Sequence, residues 1–292
     1  MNDEIRCIGI LTSGGDAPGM NACVRAAVRT ALAQDLRVVG IRRGYEGLIE
    51  GDFVEMDGRS VSNIVQAGGT ILKSARSPGM NDEHDTRIVG CPGTIDNDLF
   101  GTDDTIGYDT ALNTAIDNID RIRDTADAHD RLFLVEVMGR DAGFIALNSG
   151  IGGGAELVLI PETITQMSDI KDRIHSLMSA QSRSSIVVVA EGDEHGGATH
   201  IKEALQADDS FDNIDLRVCI LGHTQRGGSP TARDRVLASR LGSAAIDALI
   251  EGHDTVMVGV VNKDIKLTPM RNVFGRKKNI NYELLKLTQL LS

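Results

Sequence analysis

Short runs of β-branched and aliphatic residues recur along the chain, each followed by a loop and then by a segment whose apolar residues have helical spacing. RCIGILT precedes NACVRAAVRTALAQ, LRVVGIRR follows, and TRIVGCPG precedes DTALNTAIDNIDRIRDTA. The pattern returns in RLFLVEVMG, AELVLIPE, SSIVVVAEG, LRVCILGH and DTVMVGVVN. Runs so continuously apolar are buried on both faces, as strands are in parallel sheets covered by helices. The βα rhythm therefore predicts an α/β fold of open, mainly parallel sheets, in Rossmann-like three-layer sandwiches. With 292 residues the chain exceeds the usual size of one core, and two domains are expected. Ligands of such sheets bind beyond the carboxyl ends of the strands, where many of the 32 glycines cluster.

Composition narrows the function classes. A net charge of -12 argues against a nucleic-acid surface. No apolar run approaches the length of a membrane span, and MNDEIRCIGILTSGG lacks the basic region of a signal peptide. The four cysteines, Cys7, Cys23, Cys91 and Cys219, form no CxxC and mostly sit among apolar residues. They read as reduced cysteines of a cytoplasmic protein, with neither disulfide nor zinc expected. The histidines of HGGATH, His195 and His200, read as an exposed loop rather than a metal pair.

Several loops carry chemistry. In LTSGGDAPGMN, Gly14 and Gly15 let the backbone approach a phosphate, and the N–H groups opening the next helix favour negative charge; a tight βα turn is the plainer reading. In TIDND, Asp96 and Asp98 stand at i and i+2, which in an extended segment points both carboxylates to one side. An Asx turn or cap is the alternative. Arg25 and Arg29 lie four apart on one helix face, which locally reads as a solvated face.

LTSGGDAPGMN resembles the opening of the ATP-dependent 6-phosphofructokinases. GGTILKSAR, CPGTIDNDLFGTDDTIGYDTALNT, VEVMGRDAGF, AEGDEHGG and LGHTQRGGSPTARDRVLASRLG look like that family's motifs in its order. The resemblance implies the phosphofructokinase fold, with residues 1–107 and 232–275 on the nucleotide side and 108–231 with 276–292 on the sugar-phosphate side. It implies transfer of the γ-phosphoryl group of ATP to the C1 hydroxyl of fructose 6-phosphate, with Mg2+, in a cytoplasmic homotetramer. By resemblance Asp96 is the base, Thr94 contacts the reacting sugar phosphate, Asp98 supports the charge environment, and Arg76 neutralises the transferred group. Glu191, Met138, Gly139 and Arg140 would hold the sugar. Arg131, Arg226 and Arg235 would bind its phosphate, with Arg131 and Arg226 reaching into a neighbouring subunit. Gly14, Tyr45 and Arg76 fall on the nucleotide side. Arg25, Arg29, Arg123 and Arg183 match the family's effector arginines. Gly58 and Asn63 replace two other effector-site residues, so a muted effector response is expected. Gly93 stands where pyrophosphate-dependent relatives have lysine, which favours ATP.

One piece of the family pattern is missing. Between the loop matching SARSP and the strand matching RIVGCPG, the family carries a helix, a buried strand, a GGDGS-like loop and the next helix. In this chain only GMNDEHDT joins the two. The gap amounts to about thirty residues, one βα crossover, and the absent loop is the one that would cradle ATP phosphates and carry the magnesium aspartate. The resemblance thus leaves two alternatives to the ATP-dependent kinase: a non-catalytic sugar-phosphate-binding paralogue and a pyrophosphate-dependent enzyme.

Overall fold

The computed structural model describes residues 5–75, 86–127, 131–179 and 185–291. Arg76, Arg183 and the junction at 79–84 lie outside them. The chain divides into two compact units: Met1–Ile95 with Leu99–Thr110 and Arg226–Lys278, and Asp96–Asp98 with Ala111–Gln225 and Asn279–Ser292.

The first unit contains β1 (Cys7–Leu11), α1 (Met20–Ala33), β2 (Arg37–Ile41), α2 (Gly44–Glu50), β3 (Phe53–Glu55) and β4 (Val89–Gly90). Beyond α3 (Tyr108–Asp127), which runs on into the second unit, that unit contains β5 (Leu132–Val137), α4 (Phe144–Gly152), β6 (Leu157–Leu159), α5 (Met167–Ser179), β7 (Ser185–Ala190), α6 (Ala198–Gln206) and β8 (Leu216–Ile220). The chain returns to the first unit with α7 (Ala232–Ile250), β9 (Val256–Val261), β10 (Asp264–Pro269) and α8 (Met270–Gly275), and ends in the second with α9 (Tyr282–Leu291).

The second unit is built on one four-stranded sheet, order β6-β7-β5-β8, parallel throughout. All six residues of β7 are buried, which is why SSIVVVAEG shows no alternation. Val187 and Val189 meet Leu132 and Leu134 from β5, Ile170 and Ile174 from α5, and Ile201 and Leu205 from α6 in one core. Each such side chain contributes about 1.5–3 kcal/mol by leaving water.

In the first unit the strands form two separate sheets, β1-β2-β3 and β10-β9-β4, where the sequence predicts one. The β3 and β10 strands were not expected; both pair antiparallel, to β2 and β9. TRIVGCPG forms only the two-residue β4, paired parallel with β9. Helix α1 packs along α7, and the two serve both sheets. Ile246 of α7 joins Ile8, Val24 and Val38 in one core cluster. Ala22 of α1 joins Leu241, Val258 and Val260 in another. Among the described residues, Cys7, Arg37, Phe53 and Glu55 are exposed along one face of β1-β2-β3. Cys7 is thus a surface thiol rather than a core one; all four cysteines are unpaired.

Candidate active site

In the second unit three neighbouring parallel strands end at one edge of the sheet and deliver the residues expected to bind sugar. β5 runs into Met138-Gly139-Arg140, β7 into Glu191, and β8 into the turn Gly222–Arg226 that carries Gln225. Glu191 Oε1 accepts from Gly139 N at 3.2 Å and from Arg140 N at 2.7 Å. Glu191 is exposed, and its Oε1 fixes the turn. Gln225 is fully buried, and its Oε1 accepts from Met138 N at 2.9 Å. Sequence reasoning missed Gln225, whose place in HTQRGG reads as a polar loop.

The turn depends on two glycines. Gly139 has φ +152, and a Cβ there would lie 2.4 Å from Ala142 O. A Cβ on Gly192 would lie 2.0 Å from Arg140 O, closer than real contacts allow. Arg140 itself is left-handed, at φ 54, and exposed.

Asp96 is 4 % exposed and Asn97 likewise. Asn97 has φ 56, and β4 already ends at Gly90. The segment is therefore not an extended strand end, and the i, i+2 argument for co-facing carboxylates fails: a left-handed residue between Asp96 and Asp98 turns the chain. The Asx-turn alternative has the right backbone class.

Arg131 Nε lies 2.9 Å from Asp215 Oδ2, and Arg217 Nε 2.7 Å from Asp215 Oδ1. The hydrogen bond from Arg217 and the second arginine hold the Asp215 carboxyl below its usual range. Arg123 bonds Glu156 Oε1 at 3.2 Å and donates to Gly153 O at 2.9 Å and to Gly154 O, carbonyls just past the end of α4. Within this unit it ties a helix end, which its place on α3 could not reveal. His195 Nε2 donates to Thr165 O at 2.7 Å and His200 Nδ1 to Gly196 O at 2.8 Å. Among the described residues no three His, Cys, Asp or Glu side chains gather into a cation site.

In the first unit the loop after β1 is laced to the 70–75 segment. Gly14, at φ +85, donates its N–H to Ala75 O at 3.2 Å. Ser74 Oγ donates to Gly14 O at 2.8 Å, and Thr12 Oγ1 to Lys73 O at 2.9 Å. The Gly14 N–H thus has a backbone acceptor. Space above Gly15 is taken by Arg226, whose Nη1 would lie 2.8 Å from a Cβ there and donates to Asp16 O at 3.4 Å. Buried Asn21, at the start of α1, donates to Ala67 O and Gly68 O, both at 3.1 Å, and accepts from Ile71 N at 2.8 Å. This anchor too escaped the sequence reading. Tyr45 is half-buried on α2, and Arg25 and Arg29 lie on α1 half-buried and exposed.

The carbonyl of Thr94 accepts from Thr105 Oγ1. A Cβ at Gly93 would come 3.0 Å from Met20 Cε, the movable end of a side chain, so the space beside Gly93 is partly filled. Arg235, in the first turn of α7, donates from Nε to Pro230 O at 2.8 Å and from Nη2 to Ser229 Oγ at 2.9 Å.

The phosphofructokinase family model matches this chain in two pieces, residues 7–87 and 79–249, whose junction falls on the sequence seam. ATP-dependent 6-phosphofructokinase 1 of Thermus thermophilus is 47% identical, over 98% of this chain and 99% of that protein. ATP-dependent 6-phosphofructokinase 2 of Bacteroides thetaiotaomicron is also 47% identical, over 99% of each. The Thermus alignment runs over 321 positions against 292 residues, so at least 29 positions have no counterpart here. Among solved structures, phosphofructokinase from Saccharomyces cerevisiae superposes with TM-score 0.81 at 30% identity over 97% of this chain, which spans 46% of the yeast chain. The pyrophosphate-dependent phosphofructokinase from Marinobacter aquaeolei superposes at 0.82 with 19% identity, over 96% of this chain and 86% of that one, a likeness of fold alone. The chain belongs to the phosphofructokinase family, with the bacterial ATP-dependent 6-phosphofructokinases as relatives over nearly its whole length.

Proposed function

We propose that this chain is a 6-phosphofructokinase that transfers the γ-phosphoryl group of ATP to the C1 hydroxyl of fructose 6-phosphate, giving fructose 1,6-bisphosphate in glycolysis. The observation carrying this reading is the set of three strand ends that delivers Met138-Gly139-Arg140, Glu191 and Gln225 to one edge of the second sheet, in a chain 47% identical to ATP-dependent 6-phosphofructokinases. Asp96, held in a buried turn, would accept the hydroxyl proton as the oxygen attacks phosphorus. Thr94 would meet the reacting group and Asp98 the charge around it. Arg76 would offset charge on the transferring phosphoryl group. The exposed carboxylate of Glu191 would accept sugar hydroxyls, with Arg140 and Arg235 on the phosphate. Roles for Arg131 and Arg226 at a neighbouring subunit's sugar make a homotetramer part of the reading, in the cytoplasm. No helix among the described residues is long and apolar enough to cross a membrane.

ATP would arrive with magnesium, which supplies charge neutralisation on the phosphates. The described residues do not form a cation cluster, so no step above is routed through the ion. Gly93 favours ATP over pyrophosphate. Gly14, Tyr45 and Arg76 would line the nucleotide side, and Arg25, Arg29, Arg123 and Arg183 an effector site.

A second reading is favoured by the 29 or more missing positions: a sugar-phosphate-binding paralogue that transfers nothing. Calorimetry with fructose 6-phosphate and a coupled assay for its bisphosphate separate the two. Binding is expected, weakened about 10–100-fold by Arg235→Ala, the loss of charged hydrogen bonds worth about 1.5–3 kcal/mol. Turnover that Asp96→Asn lowers by about 10²–10⁴-fold, with sugar affinity retained, supports the kinase. Binding without turnover leaves the second reading. Absence of heat at millimolar sugar phosphate on folded protein removes both.

A further inference from the structure

Three successive amides follow the end of β5, and none of them continues a strand ladder. On the β8 flank the last main-chain rung runs from Leu221 N to Glu136 O at 3.0 Å, and on the β7 flank from Glu191 N to Val137 O at 2.9 Å. Beyond these rungs Met138 N goes to the side chain of Gln225, and Gly139 N and Arg140 N go to the side chain of Glu191. A further parallel rung on the β8 flank would join Met138 N to Leu221 O. That carbonyl instead accepts from Thr224 Oγ1 at 2.7 Å, as the chain enters the turn Gly222–Arg226. The turn that ends the ladder thus returns a side-chain amide in its place.

The two acceptors differ in kind. Glu191 is exposed and charged, within reach of a ligand. Gln225 is 0% exposed, so neither water nor ligand competes for its oxygen, and without it the Met138 N–H would be a buried donor left unpaired. Gln225 Nε2 is buried with no partner among the described residues. The bond from Met138 N is therefore the polar contact through which this side chain acts. Between the two acceptors lies backbone that needs holding: Arg140 is left-handed at φ 54, a conformation that persists in a non-glycine residue only where its surroundings fix it.

We propose that Gln225 is a positioning residue for the sugar site. Through Met138 it holds the start of the Gly139-Arg140 turn against the end of β8, so that Arg140 keeps its place when Glu191 takes up sugar hydroxyls. A neutral amide does this without adding a second negative charge beside Glu191 and a sugar-phosphate dianion. The inference rests on the reading of this sheet edge as the fructose 6-phosphate site, and deepens it by one residue that touches no substrate.

The test compares the full chain with Gln225→Met, which keeps the length of the side chain and removes the acceptor. On protein shown by thermal melting to be folded at the assay temperature, the substitution should weaken fructose 6-phosphate binding in calorimetry about tenfold or more. In the coupled assay the sugar KM should rise by a like factor with kcat held within about threefold, the mark of lost ground-state positioning rather than of a loosened fold. Hydrogen exchange adds a measurement on the parent alone. There the Met138 amide should be protected although it lies past the strand end, and should stay protected when fructose 6-phosphate alters exchange at Gly139 and Arg140. In the variant it should exchange about tenfold faster or more, with β7 unchanged. Parental sugar affinity in folded Gln225→Met, a fall in kcat at unchanged KM, or a Met138 amide in the parent that exchanges as freely as an exposed one overturns the proposal. A parent that binds no fructose 6-phosphate overturns the functional reading and this role with it, whereas a parent and variant that bind equally well overturn this role alone. Calorimetry and exchange need no turnover, so they decide the matter for an inactive chain as well.

Discussion

Asp234 is 1% exposed and organises the junction of two helices from the first turn of α7. Its oxygens accept from Gly107 N at 2.9 Å, Thr110 N at 2.8 Å and Thr110 Oγ1. Thr231 caps the same helix by accepting from Asp234 N at 3.2 Å, and donates to Asp109 Oδ2 at 2.6 Å. Burial raises the Asp234 carboxyl above its ordinary value, against the lowering effect of these hydrogen bonds. The folded pKa being the higher one, the associated stability is fully present below the ordinary value near 3.8 and is lost as pH rises through the raised one. Asp234→Asn removes one acceptor and should cost about 1–3 kcal/mol at pH 7. The gap between parent and variant should widen as pH falls toward the ordinary carboxylate range, measured by urea unfolding at several pH values. A gap that narrows on acidification would contradict a raised pKa. In the sequence, the TARDRV acid beside two arginines reads as a solvated helix start; only its depth in the fold distinguishes it.

At the scale of elements, the turn after β5 shows how neighbouring strand ends are brought together. The βα pattern locates β5 and β7 in the sequence, and their parallel pairing, Val137 opposite Ala190, sets Met138 and Glu191 side by side. The close approach of Gly192 to Arg140 O then brings the two loops together. Gly192→Ala should displace the Arg140 turn and break the Glu191 bonds to it, costing about 1–3 kcal/mol as overpacking and weakening fructose 6-phosphate binding about tenfold or more. Calorimetry and thermal melts check both. A variant with parental affinity would show that the turn does not hold the sugar. TIDND marks the limit of such reasoning: i, i+2 spacing has a facing only when the backbone is extended, and Asn97 at φ 56 removes that condition.

At the scale of the whole molecule, the two units differ in how completely their sheets are closed. In the second, β5 and β7 are central strands of a continuous four-stranded sheet. In the first, among the described residues, β1 and β4 each end their sheet, and edges open more readily because fewer backbone bonds hold them. Native-state hydrogen exchange should find the slowest amides in β5 and β7, and exchange in β1 and β4 at least tenfold faster. Equal protection in both units would mean that the first sheet is closed in solution.

The family and the alternation of β1, α1, β2, α3, β5, β7, β8 and β9 were determined by sequence alone, because runs buried on both faces and glycine-bearing strand ends leave local signatures. The missing crossover was also legible, as a motif absent from its place. The structure decided what no local pattern encodes: the division of the first sheet, the exposure of Cys7 and Phe53, the attachment of Arg123 to the carbonyls past α4, and the buried anchors Asn21, Gln225 and Asp234. Each depends on which distant segment arrives alongside. Hydrogen bonds such as Gln225 to Met138, 87 residues apart, and Asp234 to Gly107, 127 apart, exist only once the chain has packed, and a polar residue carries the same local signature whether its partner is water or a buried backbone.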